Sequence, residues 1–351
     1  MSKGYVVSAS PHLHDRNSVA HVMWQVVIAL LPAMAAAIFI FGINSLFLTI
    51  YGVIAAVVTE AVIQKLRKKP IAVADGSAVV TGILLAFNLN VASPWWLPVV
   101  GSVFAIAIGK HVFGGLGHNP LNPALLGRAF LVASWPSLTT SRFTVPKLAE
   151  ATMSGISNSM SKLSPLVTEA TPLAVVKTLR DTTMVSRDVA DKLITHMTSG
   201  ETLSNLFWGN IGGVIGEVSA AAILIGAAYL AWKRIIEWRI PVSYIGTVFV
   251  LILIFGGIPG ADNNTVMLAV YHILAGGLML GAFFMATDMV TSPVTKKGRL
   301  IFGCGCGVLT VVIRLVGGYP EGVSYSILLM NIAVPLIDRF TTPKPFGEVK
   351  K

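Results

Sequence analysis

Apolar stretches of about 20 residues recur along this chain from one end to the other, and about 20 apolar residues is the helix length that crosses the hydrocarbon core of a bilayer. Inside lipid each backbone N–H and C=O must find its partner within the protein, which leaves helices or a closed barrel. Runs this long and this uniformly apolar are helical rather than alternating. Only 12% of the residues are charged, about half the share in a soluble domain. The expected fold is therefore an all-α integral membrane protein. Ten candidate spans can be drawn, at 22–41, 43–63, 76–87, 95–109, 123–135, 216–232, 242–255, 266–286, 300–316 and 324–337. Residues 1–17 are polar and lack the apolar run and cleavage site of a signal peptide, so the first span is expected to act as its own insertion signal.

A net charge of +10 reads here as topology, not as nucleic-acid binding, because Lys and Arg concentrate on the cytoplasmic side of a membrane. With the N-terminus inside, the tails and even-numbered connections hold seventeen Lys and Arg residues. Among them are Lys65, Arg67, Lys68, Lys69, Lys110, Lys233, Arg234 and Arg239, while the short connections 88–94 and 256–265 hold none. Both termini are thus expected in the cytoplasm. The one long polar interruption, 136–205, falls outside.

Five spans on each side of that insert would make two halves of opposite orientation, an inverted repeat. Gly114-Gly115 leading through Pro120 and Asn122 to Arg128 has a loose counterpart in Gly317-Gly318 leading through Pro320 to Asn331 and Arg339. Glycine and proline interrupt a segment in each half, which points to broken or re-entrant backbone lining a cavity. The expected organisation is a cytoplasmic segment 1–21, a membrane half 22–135, the extracytoplasmic insert 136–205, a second half 206–339 and a tail 340–351.

Charged groups inside spans are costly and mark pathways. The candidates are Glu60, Asp75, Arg128, Glu217, Asp288, Arg314 and Asp338. Glu60 lies near the Lys65 cluster and Asp338 beside Arg339, so surface pairs are expected for both. Arg128 and Arg314 lie deeper. A cofactor phosphate or a structural pairing with Glu217 would serve them equally well. Asp288, among Thr287, Thr291 and Ser292, offers hard oxygen ligands suited to sodium, or else a helix cap. Asn119 and Asn122 flank a glycine-rich turn that could hold a flat heterocycle or be a plain turn. Cys304 and Cys306 read as small residues in a packed helix. His12 and His14 do not make a metal site, and no hydrolase signature occurs, so neither a metal nor a catalytic residue is expected. On composition alone Thr171 is one hydroxyl in a Ser/Thr-rich loop.

Several stretches together resemble the family of D subunits of the Rnf electron-transport complex, relatives of the B subunit of the sodium-translocating NADH:quinone oxidoreductase. The resemblance is carried by Ser10-Pro11-His12, by Asp75-Gly76-Ser77-Ala78, by the run 114–130 (GGLGHNPLNPALLGRAF) and by Ala286-Thr287-Asp288 with Thr291-Ser292-Pro293. In that family FMN is joined through its phosphate to a threonine in a Ser/Thr-Gly-Ala-Thr motif. The matching residues here are Thr168, Glu169, Ala170 and Thr171. The resemblance thus implies covalent FMN on Thr171 with Thr168 beside it, attached by a flavin transferase. Arg128, Asn119 and Asn122 are implied to help hold flavin, with a second, noncovalent riboflavin as in the quinone-reducing relative. It further implies an ion path through Asp288, then Glu217, and Na+ or H+ movement coupled to ferredoxin:NAD+ electron transfer in a bacterial plasma membrane. The implied partners are the FMN-bearing G subunit and the membrane A and E subunits. A cofactor-free secondary transporter or channel explains the same topology. It leaves segment 168–174 (TEATPLA) without a role.

Overall fold

The computed structural model describes residues 18–139, 173, 176, 194–210, 212–217, 219–257, 265–317 and 321–342, and among these every regular element is helical. The first half comprises α1 (Val19–Phe41), α2 (Asn44–Leu66), α3 (Ser77–Phe87), α4 (Trp96–Phe104, continued by a π-helical stretch Ala105–His111) and α5 (Pro123–Ser134). A short helix α6 (Gly200–Trp208) precedes the second half. That half comprises α7 (Ala220–Trp232), α8 (Arg239–Phe255), α9 (Thr265–Leu274), α10 (Leu278–Met285), α11 (Lys296–Leu315) and α12 (Val323–Thr341). Local chemistry sets the starts. The Asn122 side chain accepts from the Ala124 and Leu125 N–H groups with Pro123 at the first helical position, and Ser219 and Thr295 cap α7 and α11 in the same way.

Helices α1, α2, α11 and α12 are long and apolar enough to cross a membrane, and α9 with α10 makes a fifth crossing if the bent pair is one span. The remaining apolar helices are shorter. At 11 residues, α3 covers about 16 Å, roughly half the hydrocarbon thickness. Ten continuous spans are therefore more than the described residues show. The interruptions are at the glycines. Gly76 enters α3 at φ +79°, and Gly276 and Gly277, at +73° and +67°, separate α9 from α10, which meet at 64°. An L side chain is strained in that conformation.

Small residues let backbones approach, the usual basis of helix packing in lipid. Gly303 and Gly307 of α11 sit against the α8 backbone, where added Cβ atoms would lie 2.8 Å from Ile240 O and 3.0 Å from Tyr244 O. This fits the reading of the Gly-Cys-Gly-Cys-Gly run as a packed helix face, with Cys306 buried and Cys304 exposed. The two halves share one core that includes Phe87, Leu125, Leu280 and Ile327. Between α1 and α7 contact is closest at Gly226, whose Cβ would fall 2.0 Å from Ala29 O. Gly226→Ala should push α1 away from α7 at a cost of about 1–3 kcal/mol. The check is a lowered apparent melting temperature of the purified protein in detergent; an unchanged one would mean the two helices do not bear on each other.

Six of the seven tryptophans lie at helix ends: Trp95 and Trp96 open α4, Trp135 closes α5, Trp208 ends α6, Trp232 ends α7 and Trp238 precedes α8. Amphipathic indoles settle at the membrane–water interface.

Candidate functional site

A polar seam runs between the two halves. Arg128, buried on α5, donates from Nη1 to Asn88 Oδ1 (2.6 Å) and Ser324 Oγ (2.9 Å), and its Nη2 pairs with the Glu321 carboxylate. Asn88 follows α3, whereas Ser324 and Glu321 lie at the start of α12, so one guanidinium ties the halves together. A reciprocal contact lies further along. Asn331 of α12 donates to Thr291 O (3.1 Å) and accepts from Asn122 N (3.1 Å), while Asn122 Nδ2 donates to Met285 O (3.2 Å). Of the candidates named from sequence, Arg128 and Asn122 thus both lie on this seam, and both hydrogen-bond protein partners there.

At one end of the seam Arg314 explains why α9 stops. Its Nη1 donates to His272 O (2.5 Å), its Nη2 to Ala275 O and Gly276 O (both 3.2 Å), and its Nε to Glu321 O (2.9 Å). The first three are carbonyls at the C-terminal end of α9, which a helix leaves unpaired and where its dipole also favours a cation. The Glu217 carboxylate packs on the same break, with Oε1 only 2.3 Å from where a Gly277 Cβ would stand. That oxygen is buried without a hydrogen-bond partner among the described residues. Arg128 pairs with Glu321 and Arg314 with carbonyls, so neither of the arginines hydrogen-bonds Glu217.

Asp288 lies past the other end of α10, an eight-residue helix about 12 Å long. Asp288 Oδ2 accepts from Thr291 Oγ (3.0 Å) and Oδ1 from Val290 N–H (3.4 Å), the geometry of a turn-capping aspartate. It also lines a cavity of ≈ 80 Å³ together with Thr287, Asn119, Asn122, Ser77 and Lys110. Asn119 Oδ1 is buried there without a partner among the described residues. The volume is well below the roughly 300–1,000 Å³ of pockets for drug-sized ligands. Waters or a small cation fit; a three-ring heterocycle does not.

Two sequence expectations need correction. Glu60 is no surface group paired with the Lys65 cluster. Its side chain is 1% exposed and bonds Lys110 Nζ at 2.6 Å. Lys110, itself 2% exposed, also donates to Ser77 Oγ (2.7 Å), and Gln64 Nε2 donates to Glu60 Oε1 (3.1 Å). Lys110 therefore does not belong among the exposed cations that signal topology. A lysine one turn from a glycine break reads as interfacial in sequence, and only the π-helical stretch of α4 turns it inward. Asp338 likewise accepts from Val294 N–H (3.1 Å), tying the end of α12 to the turn before α11. Sequence reasoning also passed over Asn88 and Glu321, and named Asn331 only as a repeat counterpart; Glu321 follows Gly317-Gly318 closely in the sequence, and that neighbourhood was the available signal.

Thr168 and Thr171 lie outside the described residues, as do His12 and His14. Two residues beyond Thr171, however, Leu173 is buried in a cluster with Val176, Ile194, Met197, Leu206, Tyr271 and Ala275. Its Cδ1 is 2.1 Å from where a Gly276 Cβ would stand, and Arg314 Nη2 is 2.9 Å from that same point. Leu173 is therefore seated on the α9–α10 break.

Comparison with known proteins bears on these features. Residues 6–347 match the model of the NQR2, RnfD, RnfE family. The chain is 51% identical over 346 residues to the D subunit of the Na(+)-translocating ferredoxin:NAD(+) oxidoreductase complex of Acetobacterium woodii, covering 98% of this chain and 96% of that one. It is 46% identical over 343 residues to the proton-translocating counterpart of Clostridium ljungdahlii, with 98% and 96% covered. Identity is 38% over 360 residues to the D subunit of the ion-translocating oxidoreductase complex of Citrobacter koseri, with 97% and 98% covered.

Proposed function

The chain belongs to the NQR2, RnfD, RnfE family, and from that premise we propose that it is the D subunit of an ion-translocating ferredoxin:NAD+ oxidoreductase complex, carrying covalent FMN on Thr171. The observation that carries this reading is segment 168–174 (TEATPLA) within a match that spans nearly the whole chain. In support, Leu173 and Val176 are packed against Tyr271 and Ala275. A group esterified to the Thr171 hydroxyl would hang two residues from an anchor beside the break that Arg314 closes. When bound, FMN supplies one- and two-electron chemistry. This chain's part is to tether and orient it, and electrons would come from a flavoprotein partner such as the G subunit. A second, noncovalent flavin would require α1 and α7 to part around the ≈ 80 Å³ cavity.

Ion movement is assigned to the seam. Asp288 would hold a partly dehydrated Na+, or a proton, where hydroxyl and amide oxygens line the cavity, and Glu217 lies at the far end of α10. The halves are inverted with respect to each other, both termini lie in the cytoplasm, and the insert lies outside. The basic ends of α2 and α7 then share the cytoplasmic face, a placement that the clustering of Lys and Arg supports. The membrane A and E subunits are the remaining expected partners.

The test is to produce the chain with a flavin transferase and inspect its denaturing-gel band for flavin fluorescence. The band should fluoresce and should go dark in Thr171→Ala. Fluorescence that survives the substitution would sink the Thr171 assignment, and a dark wild-type band would leave the cofactor-free transporter standing.

A further inference from the structure

Lys68 (φ +54°) and Arg234 (φ +55°) are the only non-glycine residues with positive φ among those described. Both occupy the same place in the same motif. Past α2, Lys68 N–H donates to Lys65 O and Lys69 N–H to Gln64 O; past α7, Arg234 N–H donates to Ala231 O and Ile235 N–H to Leu230 O. This double bond pattern ends helices with a left-handed residue that is ordinarily glycine, which adopts that backbone without strain. Here a basic side chain stands there twice, at helix ends that share the face assigned above to the cytoplasm. Topology alone asks for a cation somewhere in a connection. It does not ask for one in a strained position, and such strain is a pointer to function.

The α7–α8 corner has more. Trp232 is 77% exposed and Trp238 is 61% exposed, marking the level of the lipid headgroups. Lys233 Nζ lies 5.4 Å from the Trp232 ring centre, which holds that ammonium at the same level. Glu237 pairs with both Arg239 and Arg299. These pairs draw the first turn of α11, with exposed Lys296 and Lys297, against the corner. Glu237 is consumed in them, so among the described residues Lys233, Arg234, Lys296 and Lys297 have no carboxylate in an ion pair.

We propose that this corner binds the phosphate headgroup of an anionic phospholipid, with Arg234 and Lys233 gripping the phosphate, Lys296 and Lys297 completing the positive rim and the two indoles bracketing the glycerol level. Basic clusters immediately cytoplasmic of membrane helices recognise anionic lipid in this way. The inference rests on the topology proposed above but not on the flavin, whose gel assay is read separately.

The test uses the assembled complex in nanodiscs of phosphatidylcholine with or without phosphatidylglycerol, reading the melting midpoint, and native mass spectrometry for lipid retained through mild detergent. Wild type should gain stability from phosphatidylglycerol and keep bound copies of it. Arg234→Gly relieves the backbone, so its midpoint in phosphatidylcholine should match or exceed wild type, while lipid affinity falls roughly fivefold per charge removed. The triple substitution Lys233→Gln, Lys296→Gln, Lys297→Gln should nearly abolish retention. An equal response to phosphatidylglycerol in wild type and Arg234→Gly overturns the proposal. So does a substitution that sheds a neighbouring protein of the complex while the lipid stays, which would make the corner a contact for an acidic protein surface.

Discussion

Lys110→Met should be among the most damaging single substitutions in this chain, costing about 3–5 kcal/mol, because it leaves the Glu60 carboxylate buried without its counter-charge. Glu60 is 1% exposed, and among the described residues Lys110 Nζ is its only ion partner within 3 Å. The same ammonium bonds Ser77 Oγ, and Gln64 Oε1 accepts the Ala72 N–H at 2.8 Å. Losing it therefore loosens the entry into α3 as well. The pair itself need not be worth much, since desolvation of two ions cancels most of their attraction. Glu60→Gln with Lys110→Met should thus recover most of what the single substitution loses. The measurement is the apparent melting temperature of each variant in detergent, with membrane abundance as a second readout. A double variant as unstable as Lys110→Met would show that the lysine matters for packing, not charge.

Arg128→Met should have a comparable effect, about 3–5 kcal/mol, by stranding Glu321 between the halves. Its guanidinium also satisfies Asn88 and Ser324, and buried acceptors left bare add to the cost. Glu321→Gln keeps a hydrogen-bonding partner for Arg128 and should be milder. The two sites are in contact, so their effects should not add, and a double-mutant cycle should return a coupling of roughly 0.5–3 kcal/mol. Additive losses would mean that the guanidinium serves only its own half. If Thr171 carries FMN as proposed, the flavin band on a denaturing gel should persist in Arg128→Met. Its disappearance would move Arg128 from joining the halves to attaching the cofactor.

Much of the first half was legible. Asn122 followed by Pro123 marks the start of α5 by its own side-chain chemistry, and the glycines at 114–117 mark its approach. The α9–α10 break was less visible. Residues 266–286 read as one apolar span, because hydropathy averages over Gly276-Gly277 and does not register a backbone turning left-handed. What bends it there is Arg314, 38 residues away along the chain. Glu60 was misassigned for the same reason. Its neighbours in sequence are Lys65 and Arg67, but its partner lies 50 residues on, and Arg128 meets Glu321 across 193.

Sequence by itself determined that this is a helical membrane protein with one long polar insert, which family it resembles, and which residues are costly to place in lipid. These follow from side-chain transfer energies and local capping, both of which act over a turn or two of chain. Only the tertiary structure decided which charge answers which. It joined Arg128 to Glu321, Arg314 to the end of α9 and Lys110 to Glu60, and it shrank the cavity beside Asp288 to the size of a few waters. A buried ion takes whichever counter-charge the packing of distant helices brings within 3 Å, and no local pattern of residues encodes that meeting.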